Sequence, residues 1–457
     1  MDGFPLPPTP CRTDDEDLFQ QIRQVPLTRL DEPLMPGPLG TERPLRVLIA
    51  GGGLGGLALA SHLVSLQYDV HVLEQARQYK PFGGPIQIQS NALWALEQIN
   101  PVLYEAVAEC GVQTGDRLSG IKDGKRYHEG WLVKFDAATP ARRKGLPLTL
   151  AINRVVLQDI FLKYGVPRER VHTNHRVVGY ENLNHGVKVL LENGQIMYGD
   201  VLVGADGIWS RVRHQMMGLP TNETGPAFAN KHAEYTGYTC FTGTCRHTPA
   251  DIDTVAYKVF LGQKQYFGCT DCGFGWQHWW AFLPDPPGGK QRIQQDSGND
   301  ESMLERLKRE FKDWSPEILD LFKATNPEVV KQRDLYDRPP MFGKSWTDDF
   351  VTLLGDSAHP TMPNLGQGGA MAIEDAYVFG KEFESIDSTD EIPERLKAYQ
   401  RRRFWRASIA QFLSRNGSDL LDDWDALRNT PIIGPIAMWF VNVFQPITMN
   451  YLYSAGI

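Results

Sequence analysis

An α/β fold is predicted for this 457-residue chain by three features of its sequence. They are a strand–glycine loop–helix–strand unit over residues 46–74, an aromatic, threonine-rich block at 233–283, and a late strand near 351–354 that enters a second glycine-rich loop and helix. In the first unit, Arg46–Ala50 is an apolar run of buried-strand type, Leu57–Leu66 has helical apolar spacing, and Asp69–Leu73 is a second apolar run ending in Glu74. That is one βαβ unit. Further on, Val187–Leu191, Asn193-Gly194 and Gln195–Tyr198 read as a β-hairpin, because Asn-Gly favours the tight turn that matches strand twist. Asp200–Val203 is a strand leading into Gly204-Ala205-Asp206-Gly207. The aromatic block predicts a sheet, Pro284–Asp300 a loop, Glu301–Ala324 one helix, and the late helix runs to about Phe383.

Length allows two or three domains. Residues 1–45 are rich in proline and carry the acidic run Asp14–Asp17, which reads as an extended arm; no signal peptide or ordinary transit peptide is visible in it. The expected division places one discontinuous domain at 46–230 and 333–400, an inserted mixed-sheet domain at 231–332, and a helical, apolar segment at 401–457. From Asn429 onward no side chain is charged, and Pro431, Pro435 and Pro446 interrupt the apolar run. A spanning helix is therefore not expected. Two readings stand: a segment lying at a membrane interface, with its Trp and Tyr at headgroup depth, or a tail packed on the protein's own core.

The net charge of −8 gives no reason to expect a nucleic-acid partner. Six cysteines in a chain of this length make no disulfide framework. Cys240, Cys245, Cys269 and Cys272 could be drawn as a zinc set, but their strand-like surroundings favour buried strand cysteines, and no metal is assigned.

The first glycine loop carries the chemistry. Gly51, Gly53 and Gly56 form G-x-G-x-x-G, with Gly55 inside it. The first glycine permits the tight turn out of the strand, the second lets a pyrophosphate approach the backbone, and the third lets helix and strand pack closely. The helix start offers free N–H groups and partial positive charge to phosphate. Glu74 ends the next strand 18 residues after Gly56, where a carboxylate accepts bonds from ribose hydroxyls. This is the fingerprint of a Rossmann-like dinucleotide fold. Gly355-Asp356 closes the late strand, and Asp356 suits cofactor hydroxyls at that strand edge. Pro363, Gly366, Gly368, Gly369 and Ala370 then lead into a helix whose positive end suits the negative side of a reduced flavin ring. His359, beside a proline, reads as structural. Asp206-Gly207, followed by Ser210, Arg211 and Arg213, is a third loop of the same kind.

In order and kind, these motifs resemble the single-component flavin monooxygenases of the p-hydroxybenzoate hydroxylase type over about residues 46–385. Within that group the chain is most similar to the zeaxanthin epoxidases of plants and algae. Stretches outside the shared motifs carry this second likeness: Gly84–Leu93, Gly237–Cys240, Phe260–Phe267 and Arg333–Arg338. The resemblance implies a Rossmann-like FAD-binding domain with an inserted mixed β-sheet substrate domain, FAD contact from Arg154, and an Asp206-Gly207 motif serving both FAD and NADPH. Plant relatives carry a forkhead-associated domain after the catalytic part, for which these residues leave no room.

The activity so implied is epoxidation of xanthophyll ring double bonds with O2, through a flavin C4a-hydroperoxide. NADPH would be the reductant, directly or through a carrier such as ferredoxin, and the setting a plastid with peripheral membrane association. An alkene is itself the nucleophile, so no catalytic base is expected; the protein positions substrate and excludes water. Tyr238, Tyr266, Phe267, Trp279 and Trp280 are the expected wall for a long apolar substrate, with Phe274, Trp276 and Phe282 in the same stretch; core packing competes for each, because alternation puts half on each face. Two other readings remain open: an aromatic-ring hydroxylase of the same fold, and a non-catalytic FAD-fold lipid carrier.

Overall fold

The computed structural model describes residues 30–32, 34, 39, 43–79, 84–219, 233–288, 302–422, 430, 447–448 and 450–454, with side chains to 415 in the last long helix. Most of the arm and most of the uncharged tail lie outside the described residues.

The site is positioned by a small set of elements. Strand β1 is Arg46–Ala50, helix α1 Leu54–Ser65 and strand β2 Asp69–Glu74. Strands β3, Leu118–Asp123, and β4, Trp131–Phe135, come next, then β5, Val201–Gly204. The aromatic block forms β6, Glu234–Arg246, β7, Val255–Gly262, β8, Gln265–Asp271, and β9, Trp276–Leu283. Helices α2, Met303–Glu310, and α3, Pro316–Ala324, precede β10, Lys331–Asp337, and β11, Val351–Leu353. Helix α4 spans Gly368–Phe383 and α5 spans Ile392–Asp422, without a break at residue 400.

The single helix expected over 301–324 is two. Pro316 opens α3, where its missing N–H costs nothing, and Ser315 precedes it in extended geometry, so α2 cannot run through.

Among the described residues, one sheet has the order Thr347–Asp348, β11, β5, β1, β2, Val171–Thr173. All its pairs are parallel except the first. Its strands are buried from end to end at β1, β5 and β11, as expected when helices cover both faces. Ala50 pairs with Leu73 and with Gly204, and Gly204 pairs with Leu353. By this register four strands end at one level, and the residues after each leave from the same edge. At the opposite edge Arg46, Asp69, Arg170 and His71 close the sheet with a buried charge cluster, Arg46 Nε to Asp69 at 3.0 Å.

A second sheet, in the order β10, β6, β9, β8, β7, β3, β4, is antiparallel except for the β7–β3 pair. The expected hairpin is present as Gly186–Leu191 paired with Ile196–Gly199. A separate small sheet pairs Leu150–Asn153 with Pro85–Ile88 and with Val112–Gln113.

Successive residues of a strand point to opposite faces, so the second sheet sorts the aromatic block in two. Phe241, Phe260, Phe267 and Trp279 face α2 and α3, where they pack on Leu307, Phe311, Ile318 and Phe322. Tyr238, Tyr266 and Phe282 form a cluster on the other face, with Cys240, Trp280 and Leu335 against it.

Candidate cofactor and substrate site

The three motif loops meet at the carboxyl edge of the parallel sheet. Gly51 has φ +108°, and a Cβ there would run into the Ala205 carbonyl of the next loop. Only glycine fits that combination of torsion and approach. Gly56 packs its Cα face against the Gly51 carbonyl, and Gly55 lets α1 approach Leu354 and Ala372 of the late loop and α4. Asp206 accepts from the Arg211 N–H at 2.7 Å and from Ser357 Oγ at 3.2 Å, while Gly207 N donates to Ser357 Oγ at 2.9 Å. Ser357 therefore stitches the second loop to the third. Arg213 adds bonds to the Ser357 and Ala358 carbonyls at 3.2 and 3.3 Å. Burial raises the Asp206 carboxyl above its usual range, against the bonds from Ser210 and the helix N–H groups.

Glu74 turns back on the first loop, accepting from Gly52 N at 2.8 Å and Ala76 N at 2.7 Å. Each carboxylate oxygen keeps a second lone pair for a diol. Asp356 is exposed to solvent at the loop edge, and its Oδ1 lies 3.7 Å from where a Gly368 Cβ would stand. Arg154 begins a helix after Asn153 and lies within electrostatic range of Asp356 and Arg333. Burial, then the Arg333 charge, lowers its guanidinium from the ordinary range, and Asp356 opposes this. Gly366 takes φ +63° and accepts from Gln89 Nε2 at 2.8 Å; Gly369 sits 3.5 Å, by its missing Cβ, from Leu54 at the start of α1. Pro363 opens the short turn before Gly366, and Ala370 is buried in the first turn of α4.

These residues fit a dinucleotide. A Cβ on Gly53 or Gly207 would meet nothing within 4 Å, so the backbone there is open to a ligand. The first turn of α1 has no side-chain cap, which leaves its N–H groups for phosphate. Thr361 Oγ1 and Gln367 Nε2, around the late loop that leads into α4, and Tyr79 Oη, beside Gly52, are buried polar atoms that find no partner among the described residues. Such atoms are costly unless something else meets them.

His359 is part of the scaffold, as its place beside Pro360 had indicated. Its Nε2 lies 2.6 Å from Asp375 Oδ2, and Asp375 also takes Gly355 N at 2.9 Å and Arg403 Nε at 2.6 Å. Glu374 next to it is held by Arg403 at 2.7 Å, Arg406 at 2.6 Å and Asn91 Nδ2 at 2.9 Å. Burial would raise the Asp375 carboxyl, but His359 and Arg403, by charge and hydrogen bond, bring it down to about 2. The network locks α4, whose start faces the cofactor loops, to α5. The acidic pair is visible in the sequence, but its arginines are not, because they sit about thirty residues away at helical spacing on α5.

The expected substrate wall is corrected by the two faces. Phe267 and Trp279 lie under α2 and α3: Trp279 Nε1 donates to Thr325 at 2.9 Å, and Phe322 meets both rings at 5.5 and 5.1 Å. Parity along β8 and β9 turns them away from the cleft. Phe274 sits exposed in a turn at φ +53° and is no wall either. Tyr238, Tyr266 and Trp280 stay on the cleft face, joined by Phe282, whose ring stacks on Tyr266 at 3.9 Å, and by Tyr257 and His278, 5.7 and 5.2 Å from Trp280. That face looks toward the loops: Cys240 is within range of Arg333, Arg333 of Arg154, and His278 packs on Gly84. Cys245 and Cys269 lie on the helix-covered face, where burial pushes their thiols up to about 11 and about 12. Among the described residues no group of His, Cys, Asp and Glu is placed to hold a metal ion.

Residues 293–412 match the family model described as FAD binding domain. The chain is 39% identical over 456 residues to "Zeaxanthin epoxidase, chloroplastic" of Prunus armeniaca, covering 95% of this chain and 65% of that protein. The protein of the same description from Solanum lycopersicum is 40% identical, over 94% of this chain and 64% of its own length. This chain thus spans less than two thirds of the curated relatives it matches. Klebsiella pneumoniae HpxO, complexed with FAD and uric acid, superposes with a TM-score of 0.73 at 23% identity over 90% of this chain and 96% of that one. A salicylate hydroxylase substrate complex superposes with a TM-score of 0.67 at 18% identity over 91% and 99%; likenesses at this identity speak for the fold. The order of its motifs and the edge on which they meet go with this similarity: along nearly its whole length the chain is similar to proteins described as zeaxanthin epoxidases, and part of it matches an FAD binding domain.

Proposed function

We propose that this chain is an FAD-dependent monooxygenase of plastids that epoxidises a ring double bond of a xanthophyll with O2 and NADPH. The carrying observation is that an aromatic sheet face looks onto the edge where three glycine loops meet, in a chain about 40% identical to proteins described as zeaxanthin epoxidases. The balanced reaction converts alkene, O2, NADPH and a proton to epoxide, water and NADP+. FAD, when bound, supplies the electron transfer and oxygen activation.

The protein's part is binding and exclusion. The α1 start and Gly53 would take the pyrophosphate, Glu74 and Asp356 the cofactor's hydroxyls, and Arg154 and the start of α4 its remaining polar groups. Tyr238, Tyr266, Trp280 and Phe282 offer rings to a hydrocarbon and keep water out. An alkene needs no deprotonation, and the two histidines nearest the site suit that: His359 is committed to Asp375, and burial holds His278 neutral down to about 4.

The protein docks peripherally on the membrane that dissolves its substrate. No helix among the described residues is long and apolar enough to cross a membrane. Trp405, Ile409 and Phe412, spaced along one face of α5, and Phe342 beside them are exposed by 65, 39, 55 and 57%, an apolar face suited to lipid.

The test uses FAD-loaded protein with NADPH, oxygen and vesicles containing zeaxanthin. Product heavier by one oxygen atom, and flotation of the protein with the vesicles, are expected. NADPH oxidation without oxygenated product would overturn the epoxidase reading, and protein left at the bottom of the gradient would overturn the docking.

A further inference from the structure

We infer that residues 450–454 form a wall of the substrate site and that the Tyr453 hydroxyl is a specificity-determining group, a hydrogen-bond partner for a hydroxyl on the substrate's ring. This rests on the proposed function and names the group that reads the polar end of an otherwise apolar molecule.

Three observations place the segment. First, Arg406 holds it by the backbone, donating to the carbonyls of Tyr451 at 2.9 Å, Leu452 at 3.1 Å and Ser454 at 2.7 Å. The same guanidinium is anchored on Glu374 at 2.6 and 2.7 Å and lies over the Tyr451 ring at 5.3 Å. The segment is thereby tied to α4, the helix whose start faces the cofactor loops. Second, Leu452 is fully buried in the core of the parallel-sheet domain, which fixes which way its neighbours project. Third, Tyr453 bonds to Gln89, and Gln89 donates to the Gly366 carbonyl at 2.8 Å, so one side chain links Tyr453 to the flavin-side loop.

Across the cleft, Tyr453 lies within electrostatic range of Tyr257, whose ring is 5.7 Å from Trp280 on the aromatic face. Tyr453 is therefore in reach of both halves of the site, bonded to Gln89 on the loop side and within range of the Tyr257 hydroxyl on the aromatic face. Burial raises both phenols far above their ordinary value, so both stay neutral donors at any physiological pH. The rest of this wall is ring and hydrocarbon: Tyr266 and Phe282 stack, with Leu261 and Leu335 against them. A long apolar chain lies along such a surface without direction. A pair of phenols at the loop end gives it one, by meeting a ring hydroxyl and fixing which bond reaches the loops. A site built to bond a hydroxyl also rejects the analogue that lacks it.

The experiment measures binding of zeaxanthin and of β-carotene, the same hydrocarbon without ring hydroxyls, to holoprotein and to Tyr453→Phe, following the absorbance of bound FAD. The expected result is weaker zeaxanthin binding in the variant, by about five- to tenfold as for one lost hydrogen bond, with β-carotene binding unchanged and full FAD content. Equal weakening for both, or for neither, would overturn the role of Tyr453. A second measurement needs no substrate. Iodide quenching of the bound flavin's fluorescence is compared for holoprotein and for protein ending at Met449. Severalfold stronger quenching without residues 450–457 is expected, and unchanged quenching would overturn the wall. Failure of wild-type protein to bind either carotenoid would instead sink the proposed substrate, and the quenching result would still decide the wall.

Discussion

The two faces of the seven-stranded sheet are made from the same kinds of residue and do different things. Under α2 and α3, Phe241, Phe267 and Trp279 are sealed by Phe311 and Phe322, and the polar atom that enters with them, Trp279 Nε1, has its partner in Thr325. On the cleft face the rings are as well buried, yet polar atoms are left over: Tyr266 Oη and His278 Nδ1 have no partner among the described residues. A finished core satisfies its polar groups, whereas a binding surface holds some in reserve. The number of aromatic residues says nothing about which face is which; the helices laid over one of them do.

Three experiments can break or sharpen this comparison. Trp279→Ala on the sealed face is expected to cost about 3–5 kcal/mol of stability, by cavity formation, while folded variant keeps its FAD. Denaturant unfolding followed beside flavin absorbance checks it, and loss of FAD at unchanged stability would make Trp279 a site residue after all. The second is a pH titration of stability. His278 on the cleft face is held neutral to about 4, but in the unfolded chain it takes up its proton near its ordinary 6.5. Between those values the unfolded state binds the extra proton, so stability present above 6.5 is lost as pH falls to 4, by on the order of 3 kcal/mol. His172, at the far edge of the parallel sheet and likewise lowered to about 4, contributes a similar slope. His278→Gln should therefore remove roughly half of the acid sensitivity that these two histidines bring; an unchanged profile would refute a neutral, buried His278. The smallest effect is expected from Tyr266→Phe. Deleting a hydroxyl that has no partner among the described residues should leave stability unchanged or raise it by up to about 1 kcal/mol, and a clear loss would mean that the cleft face is ordinary core.

How much of the fold and site is legible in the sequence depends on distance along the chain. The first βαβ unit reads directly, because its signals are local: strand, glycine spacing, helix and Glu74 lie within a short stretch, residues 46–74. The other two loops can be recognised as motifs, but their meeting with the first is a matter of register, Ala50 with Gly204 and Gly204 with Leu353, which composition does not encode. The aromatic wall is half legible. Tyr266 and Phe267 are adjacent, and Trp279 and Trp280 are adjacent, so each pair offers both parities; only the helices laid over one face decide. The break between α2 and α3 is marked by Ser315-Pro316, yet apolar spacing resumes after it and hides the interruption. Arg403 and Arg406 cannot be assigned from sequence at all, since a buried ion pair between two helices leaves no periodic trace in either.

The aligned strand ends have a consequence for how the protein is made. Ala50, Gly204 and Leu353 are roughly 150 residues apart in succession, yet must be hydrogen-bonded neighbours before the three turns face one another. Contacts of such sequence separation form late and slowly, because chain closure must come first. The nucleotide can recognise only the completed arrangement, so its uptake draws the last folding equilibrium toward the native state. Yellow colour acquired during refolding should then trail the regain of helical signal, and a shortage of flavin should appear as slow maturation and early degradation of the polypeptide.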